Sequence, residues 1–239
     1  MRLTKPFFGK IFLLVIGLFM FSPSLVSLKG GDFMLFKKAQ AQDTIELPDF
    51  SVEGEISLEK ALDLRKSTRS FTDESLTLEE AAQLLWAAQG VNRPEKDYRT
   101  APSAGATFPL EVYLAAGNVD GLEPGVYRYL PLEHKLEKVR SGDPRADLHA
   151  QALRQSPVRQ APAVIAIAGI YERTTGRYGE RGKQYVHNEV GHAGQNVQLQ
   201  SAALDLGSVV IGAFSESGVQ QVLGLESNEV PFYLMPVGR

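Results

Sequence analysis

Three cations and two hydroxyls fall within five residues at Arg65-Lys66-Ser67-Thr68-Arg69. A guanidinium grips a phosphate or carboxylate through two parallel hydrogen bonds, and a hydroxyl fills a remaining acceptor site. The pentad reads as one wall of a site for an anionic ligand, although such a run by itself also suits a solvated basic face. A second candidate is the stretch from Arg99 to Pro109. There Ser103 and Thr107 offer hydroxyls, and small residues around Ala104, Gly105 and Ala106 let backbone approach a flat ligand. The third is Ile211-Gly212-Ala213-Phe214, at an expected strand end, where backbone N–H groups are exposed to a ligand.

Other chemistries fit the residues less well. The chain has no cysteine, which excludes disulfides, thiolate nucleophiles, iron–sulfur clusters and Cys-based zinc sites. His187 and His192 are five apart, about 140° around a helix, so they diverge instead of sharing a metal. No metal is expected, and polar contacts at a subunit interface are the expected use of this pair. His134 and His149 read as surface. Ser67, Ser103 and Ser208 lack a Gly-x-Ser-x-Gly elbow and an evident base. Glu189 and Gln195 read either as polar groups at the core edge or as neighbours of a substrate. Tyr178, Lys183 and Tyr185 are candidates for a proton-transfer group.

The elements that must position these residues can be read from caps and periodicity. Ser57 caps a helix carrying Leu58, Ala61, Leu62 and Arg65. Thr77 and Glu80 form a capping box, Leu76 staples against Ala81, and Gly90 closes the helix. Residues 91–109 read as a loop. Leu110 to Ala116 is strand-like. Gly125 to Tyr129 and Lys135 to Val139 suggest a hairpin around Pro131-Leu132-Glu133-His134. Leu148 to Leu153 reads as a short helix. Ala163 to Ile170 is a continuous apolar run suited to a strand covered on both faces. A long helix over Gln184 to Leu206 ends at Gly207. A buried strand is expected over Val209 to Phe214, then a short helix over Ser215 to Leu223 before Gly224. A last strand covers Val230 to Val237. Helices and strands mix without repeat, which predicts one α+β domain with helices packed on a small sheet.

Ordinary globular composition, 44% hydrophobic and 22% charged over 239 residues, allows a full core. The charge is uneven. Residues 1–41 hold six cations and one anion, so the remainder carries −8 of the overall −3. An acidic body argues against nucleic acid as a partner. Basic Arg2, Lys5 and Lys10 precede an apolar run from Ile11 to Phe21, short for a membrane span and suited to a signal peptide. The expected location is periplasmic or extracellular, with an uncleaved membrane anchor as the alternative. The expected domains are a signal or anchor with spacer at 1–41, an arm or linker at 42–56, and one body at 57–239.

The order of segments carries more than any one of them. Arg-x-Ser-x-Arg follows a first helix, and a Pro-Ser loop leads into a strand. Later come a long Asn/Gln-bearing helix, a Leu-Gly-Ser-x-x-x-Gly segment and a Pro-Val-Gly ending. This order resembles the FMN-dependent nitroreductase family over about residues 57–239. Tyr178-Gly179-Glu180-Arg181-Gly182, the stretch from Glu189 to Asn196, and Gly212-Ala213-Phe214 look most like its SagB-type branch, whose members include thiazoline and oxazoline dehydrogenases. The resemblance implies an α+β flavoprotein with a central, mainly antiparallel sheet flanked by helices. It also implies a homodimer with FMN at the subunit interface.

On that resemblance the expected cofactor-binding residues are Arg65, Lys66, Ser67, Thr68, Arg69, Pro102, Ser103, Ala104, Gly105, Ala106, Gly212, Ala213 and Arg239. Arg65 and Ser67 fall to the phosphate and ribityl end, and Arg69 to the flavin pyrimidine. Ser103 and its neighbours would line the ring edge, with the Gly212–Ala213 backbone near N5. No catalytic side chain is assigned, because the flavin carries the electron chemistry. Ala106 stands where many nitroreductases have a flavin-binding asparagine. Arg239 is the candidate for a role that a longer C-terminal tail fills in many relatives. The expected activity is hydride transfer between flavin N5 and a small organic or peptide-derived substrate. The alternatives are an NAD(P)H-dependent nitro or quinone reductase and a flavin-binding carrier or sensor without turnover.

Overall fold

The structure, a computed structural model, describes residues 44–239. The apolar run and the signal reading of residues 1–41 lie outside the described residues. Among the described residues no helix is long and apolar enough to cross a membrane.

The chain enters through β1 (Thr44–Glu46), which pairs antiparallel at the sheet edge. The stretch read as an arm thus contributes an edge strand. Helix α1 (Leu58–Leu64) starts at Ser57, whose hydroxyl accepts the Lys60 N–H, and ends at Arg65. Helix α2 (Leu78–Gln89) carries the full Thr77–Glu80 capping box. Gly90 ends it in extended backbone, and a side chain there would strike the Trp86 indole at 2.1 Å. Residues 91–109 are more ordered than a loop: β2 (Val91–Arg93) and β3 (Tyr98–Arg99) form a small separate hairpin. Strands of three and two residues are too short to leave a periodic signal.

The main sheet adds β4 (Leu110–Ala116), β5 (Gly125–Leu130) and β6 (Lys135–Ser141). Helices α3 (Arg145–Gln151) and α4 (Ser156–Gln160) lead to β7 (Ala163–Gly169). Helix α5 (Tyr171–Tyr178) breaks at Gly179 (φ 59, ψ −151), and α6 (Arg181–Ala203) follows. The long helix therefore starts earlier than Gln184 and ends before Leu206. The remaining elements are β8 (Gly207–Ser208), α7 (Glu216–Leu223) and β9 (Val230–Gly238).

The sheet has seven strands, ordered β1-β6-β5-β4-β7-β9-β8, larger than the small sheet anticipated. Every strand pair in it is antiparallel. Alternate residues of β4 and β7 divide between two cores. Val112, Leu114, Ile165 and Ile167 join α2 and α6 residues such as Leu85 and Val190. Tyr113, Ala115, Val164 and Ala166 join Leu148, Val158 and Val219 from α3, α4 and α7. Helices on both faces explain why β7 is apolar at every position. Each fully buried isoleucine there contributes about 1.5–3 kcal/mol of transfer free energy.

The expected strand over Val209 to Phe214 does not form. Only Gly207 and Ser208 pair regularly with β9, and Ile211 adds an isolated bridge to Leu234. Pro236 opposite this segment has no N–H to donate. Val209 donates to the Pro236 carbonyl at 3.4 Å, whereas Ile211 and Leu234 exchange both bonds at 2.9 Å. Val209 and Ile211 are buried, but Gly212 and Ala213 are exposed.

Candidate functional site

The pentad lies where α1 gives way to extended backbone. Arg65 leaves the helical conformation (φ −54, ψ 121) as the α1 cap. Ser67 then bridges in parallel to Ser208, and the Thr68 N–H donates to the Ser208 carbonyl at 3.0 Å. The pentad is thereby tied to the segment beyond α6, far away in sequence. Thr68 faces inward: a side chain on Gly207 would lie 2.6–2.9 Å from its atoms. Lys66, Ser67 and Arg69 are exposed and Arg65 is half-buried. Arg69 lines a depression of about 240 Å³ with Val209, Val210 and Ile211. The structure thus joins the first and third candidate segments.

The Pro102–Ala106 loop lines a different depression, of about 620 Å³. Its backbone is unusual: Gly105, Ala106 and Phe108 all have positive φ (61°, 53° and 44°). For the two non-glycine residues this costs about 1 kcal/mol or more each. Glycine suits position 105 because of its left-handed backbone, and a side chain there would also displace the Tyr178 hydroxyl, 2.5 Å away.

Hydrogen bonds from α5 and α6 hold the strained loop. The Ala104 N–H donates to Glu189 Oε1 at 2.8 Å. Arg177 donates to the Gly105 carbonyl and Arg173 to the Phe108 carbonyl, both at 2.9 Å. Thr107 and Thr174 share a hydroxyl contact at 2.8 Å.

Ser103 Oγ accepts the Phe108 N–H at 2.9 Å and also bonds Glu189. Its hydroxyl is therefore engaged in holding the loop, and the surface left to a ligand there is mostly backbone and small side chains. Burial pushes the Glu189 carboxyl above its ordinary value, while hydrogen bonds from Ala104 and Ser103 pull it back. Glu189 is 3% exposed, so the core-edge reading of this residue is the observed one, with a definite task. Gln195 is exposed.

Arg239 is engaged elsewhere. Its guanidinium pairs with Glu80, approaches Glu74 at 3.9 Å and donates to the Ser75 carbonyl at 3.4 Å. Glu80 is also the capping-box residue of α2, so Arg239 fastens the chain's last described residue to that helix start.

Lys183 pairs with exposed Glu180 at 2.7 Å, and Tyr178 packs edge-on against Tyr185 with ring centres 5.2 Å apart. His187 bonds the Tyr171 hydroxyl at 2.6 Å. His134 is half-buried, not free surface as read from sequence. It bonds the Tyr129 hydroxyl and the Pro48 carbonyl, each at 2.9 Å, and so fixes the entering arm to the β5–β6 hairpin.

Sequence reasoning did not single out Arg93, Arg177, Arg173 or Glu111. Glu111, 7% exposed, holds Arg128 at 2.9 Å and Arg173 at 2.6 Å. Each of these residues lies far from the loop in sequence or on another element, and only the fold brings them around it.

An antiparallel sheet between two helical layers, with an exposed cationic segment tied to the turn after a long helix, defines an α+β ligand-binding fold. The chain belongs to the Nitroreductase family, whose match spans residues 62–239. That family is one of flavin oxidoreductases. A nitroreductase-like protein of Methanocaldococcus jannaschii is 45% identical over 195 residues, covering 82% of this chain and 96% of that protein. The crystal structure of a nitroreductase-like protein from Ralstonia eutropha JMP134 superposes with a TM-score of 0.70 at 30% identity. That match covers 82% of this chain and 89% of the other. The Escherichia coli microcin B17-processing protein McbC is 27% identical over 167 residues, 67% of this chain and 61% of McbC.

Proposed function

We propose that this chain is an FMN-dependent oxidoreductase that exchanges hydride with a small organic or peptide-derived substrate and works as a homodimer. One observation carries the reading. Among the described residues, Arg65, Lys66 and Arg69 form no ion pair, although all three fall within five residues, whereas nine of the other sixteen cations there are paired. Three unpaired cations beside Ser67, tied to the Ser208–Ile211 segment, fit a phosphorylated cofactor.

Arg65 and Ser67 would hold the phosphate and ribityl end, with Lys66 adding positive charge at the rim. Arg69, beside Val209–Ile211, would stand at the pyrimidine edge and stabilise negative charge there. Gly212 and Ala213 expose backbone beside it, and a methyl added at Gly212 would meet only ordinary contacts at 3.8–3.9 Å. When bound, FMN supplies the hydride chemistry at N5. Thr68 turns inward and positions the pentad. Arg239 is left out of the proposed set because Glu80 and Glu74 hold it.

The Pro102–Ala106 loop and Arg69 line separate depressions, which favours a site completed by a second copy. Leu58, Leu62 and Leu64 on α1 are 62%, 52% and 46% exposed, an apolar face suited to such an interface.

For the substrate, a SagB-type dehydrogenase is the first reading, supported by the segment order and by the similarity to McbC. An NAD(P)H-dependent nitro or quinone reductase is the second, favoured by the 45% identity to the M. jannaschii protein. The basic start and apolar run of residues 1–41 favour export.

The visible spectrum of the purified full chain after incubation with FMN tests the cofactor. Persistent flavin bands after desalting are expected, and a colourless protein would reject the reading. Anaerobic mixing with NADH or NADPH then separates the two activities. Bleaching supports the reductase. A flavin inert to both donors but reduced by an azoline-bearing peptide supports the dehydrogenase.

A further inference from the structure

The depression beside the Pro102–Ala106 loop has a charge character of its own. Its wall includes Arg93, Arg99 and Arg177, the rings of Tyr98 and Phe108, and no carboxylate. Three guanidiniums converge there in a protein whose body is acidic.

Arg99 is the informative member. Its Nη1 is buried and has no hydrogen-bond partner among the described residues. Its guanidinium lies over the Phe108 ring, 5.1 Å from the centroid. The carboxylates whose charge reaches Arg99 are Asp97 and Glu111. Glu111 is already gripped by Arg128 and Arg173. Asp97 is exposed and screened by water. Burial pushes the Arg99 guanidinium below its ordinary value. Burying part of a cation without a partner is unfavourable, and an incoming anion would relieve it.

Arg177 is partly engaged, donating to the Gly105 carbonyl. Arg93 makes no ion pair among the described residues. Beyond it, Lys96 sits over the Tyr98 ring at 5.7 Å and adds a fourth cation at the rim. The volume of about 620 Å³ falls within the range of small-molecule sites. Aromatic rings and the small residues of the loop suit a planar body, while the arginines suit a carboxylate or phosphate attached to it.

We propose that the depression formed by Arg93, Arg99, Arg177, Tyr98 and Phe108 binds the anionic group of a planar organic substrate or electron donor. The assignment to the hydride-exchanging partner rests on the function proposed above, whereas the preference for anions rests on the depression alone. The same chemistry could be met by the phosphate of the flavin, and the experiment separates the two sources.

The full chain, with and without FMN, is titrated calorimetrically with 4-nitrobenzoate and with neutral 4-nitrobenzyl alcohol. The anion is expected to bind about tenfold more tightly or better, a gap of about 1.4 kcal/mol, and the gap should shrink with added salt. Arg99→Gln, and separately the exposed Arg93→Gln, should bring the two ligands to within about twofold while FMN affinity stays at the wild-type value. The exposed variant guards against a folding defect in the buried one.

Equal binding of the two ligands to wild type would overturn the proposal, as would a preference that survives both substitutions. A loss of FMN affinity of tenfold or more in either variant would assign the depression to the flavin phosphate and also overturn it. If the chain takes up no FMN yet still prefers the benzoate in an arginine-dependent way, the anion site stands and the flavin reading falls.

Discussion

Glu189 on α6 accepts the backbone N–H of Ala104 at 2.8 Å, across 85 residues of sequence. One buried carboxylate thereby holds the start of the strained 104–108 loop against the longest helix. The same helix ends just before Gly207 and Ser208, where the pentad is attached. Helix α6 therefore bears on both candidate walls: Glu189 in its first half holds the loop, and the chain leaving its C-terminus carries Ser208.

Replacing Glu189 by Ala leaves the Ala104 N–H without its acceptor and removes the bond to Ser103. A loss of about 1–3 kcal/mol is expected, read as a lower urea midpoint with unchanged slope. Glu189→Gln keeps an acceptor and should lose less.

The same residue predicts a pH dependence. Its folded value is raised, so the folded state binds its proton more tightly than the unfolded chain does. Its contribution is fully present below the ordinary glutamate range and is lost as pH rises through the raised folded value. Urea unfolding of wild type and Glu189→Gln from pH 4 to 8 checks this. The wild type should lose stability relative to the variant as pH rises, and a difference independent of pH would contradict it.

Gly207 faces Thr68 so closely that a methyl would lie 2.6 Å from Thr68 Cγ2. Thr68 is β-branched and belongs to a bridged segment, so it cannot swing aside freely. Gly207→Ala should cost about 1–3 kcal/mol of stability and weaken FMN binding by displacing the pentad. Calorimetric melting and an FMN titration on the same sample test both effects.

Removing the Glu111 carboxylate leaves Arg128 and Arg173 without their shared partner. Their side chains are 31% and 38% exposed, so water compensates in part. Glu111→Ala should cost about 1–3 kcal/mol. It should also loosen the Phe108 end of the loop, since Arg173 bonds the Phe108 carbonyl. Faster amide hydrogen exchange over residues 104–110 would register that loosening.

Much of this architecture was legible because it is local. Ser57, Thr77 with Glu80, and Gly224 in left-handed backbone mark helix ends by side-chain or φ requirements that operate within four residues. The apolar run of β7 reads directly as a strand covered on both faces. The failure at Val209–Phe214 came from the opposite strand, where Pro236 interrupts the ladder, which no property of residues 209–214 reveals. The hydroxyl of Ser103 looked free in the sequence because its partners, Phe108 N–H and Glu189, depend on a positive-φ turn and a distant helix. Arg239 likewise looked free until Glu80 and Glu74 were brought to it. The pentad's attachment to Ser208 is a nonlocal pairing that no property of residues 65–69 reveals.

The FMN affinity of the full chain, compared with that of the Arg65→Ala/Arg69→Ala double variant, tests the central claim most directly. Wild type should retain FMN through desalting. Each arginine removed should cost about 1.5–3 kcal/mol, so that the double variant binds at least about a hundredfold more weakly while unfolding at an unchanged urea concentration. An affinity unaltered by the double substitution would mean that the pentad is only a solvated basic face, and would contradict the account.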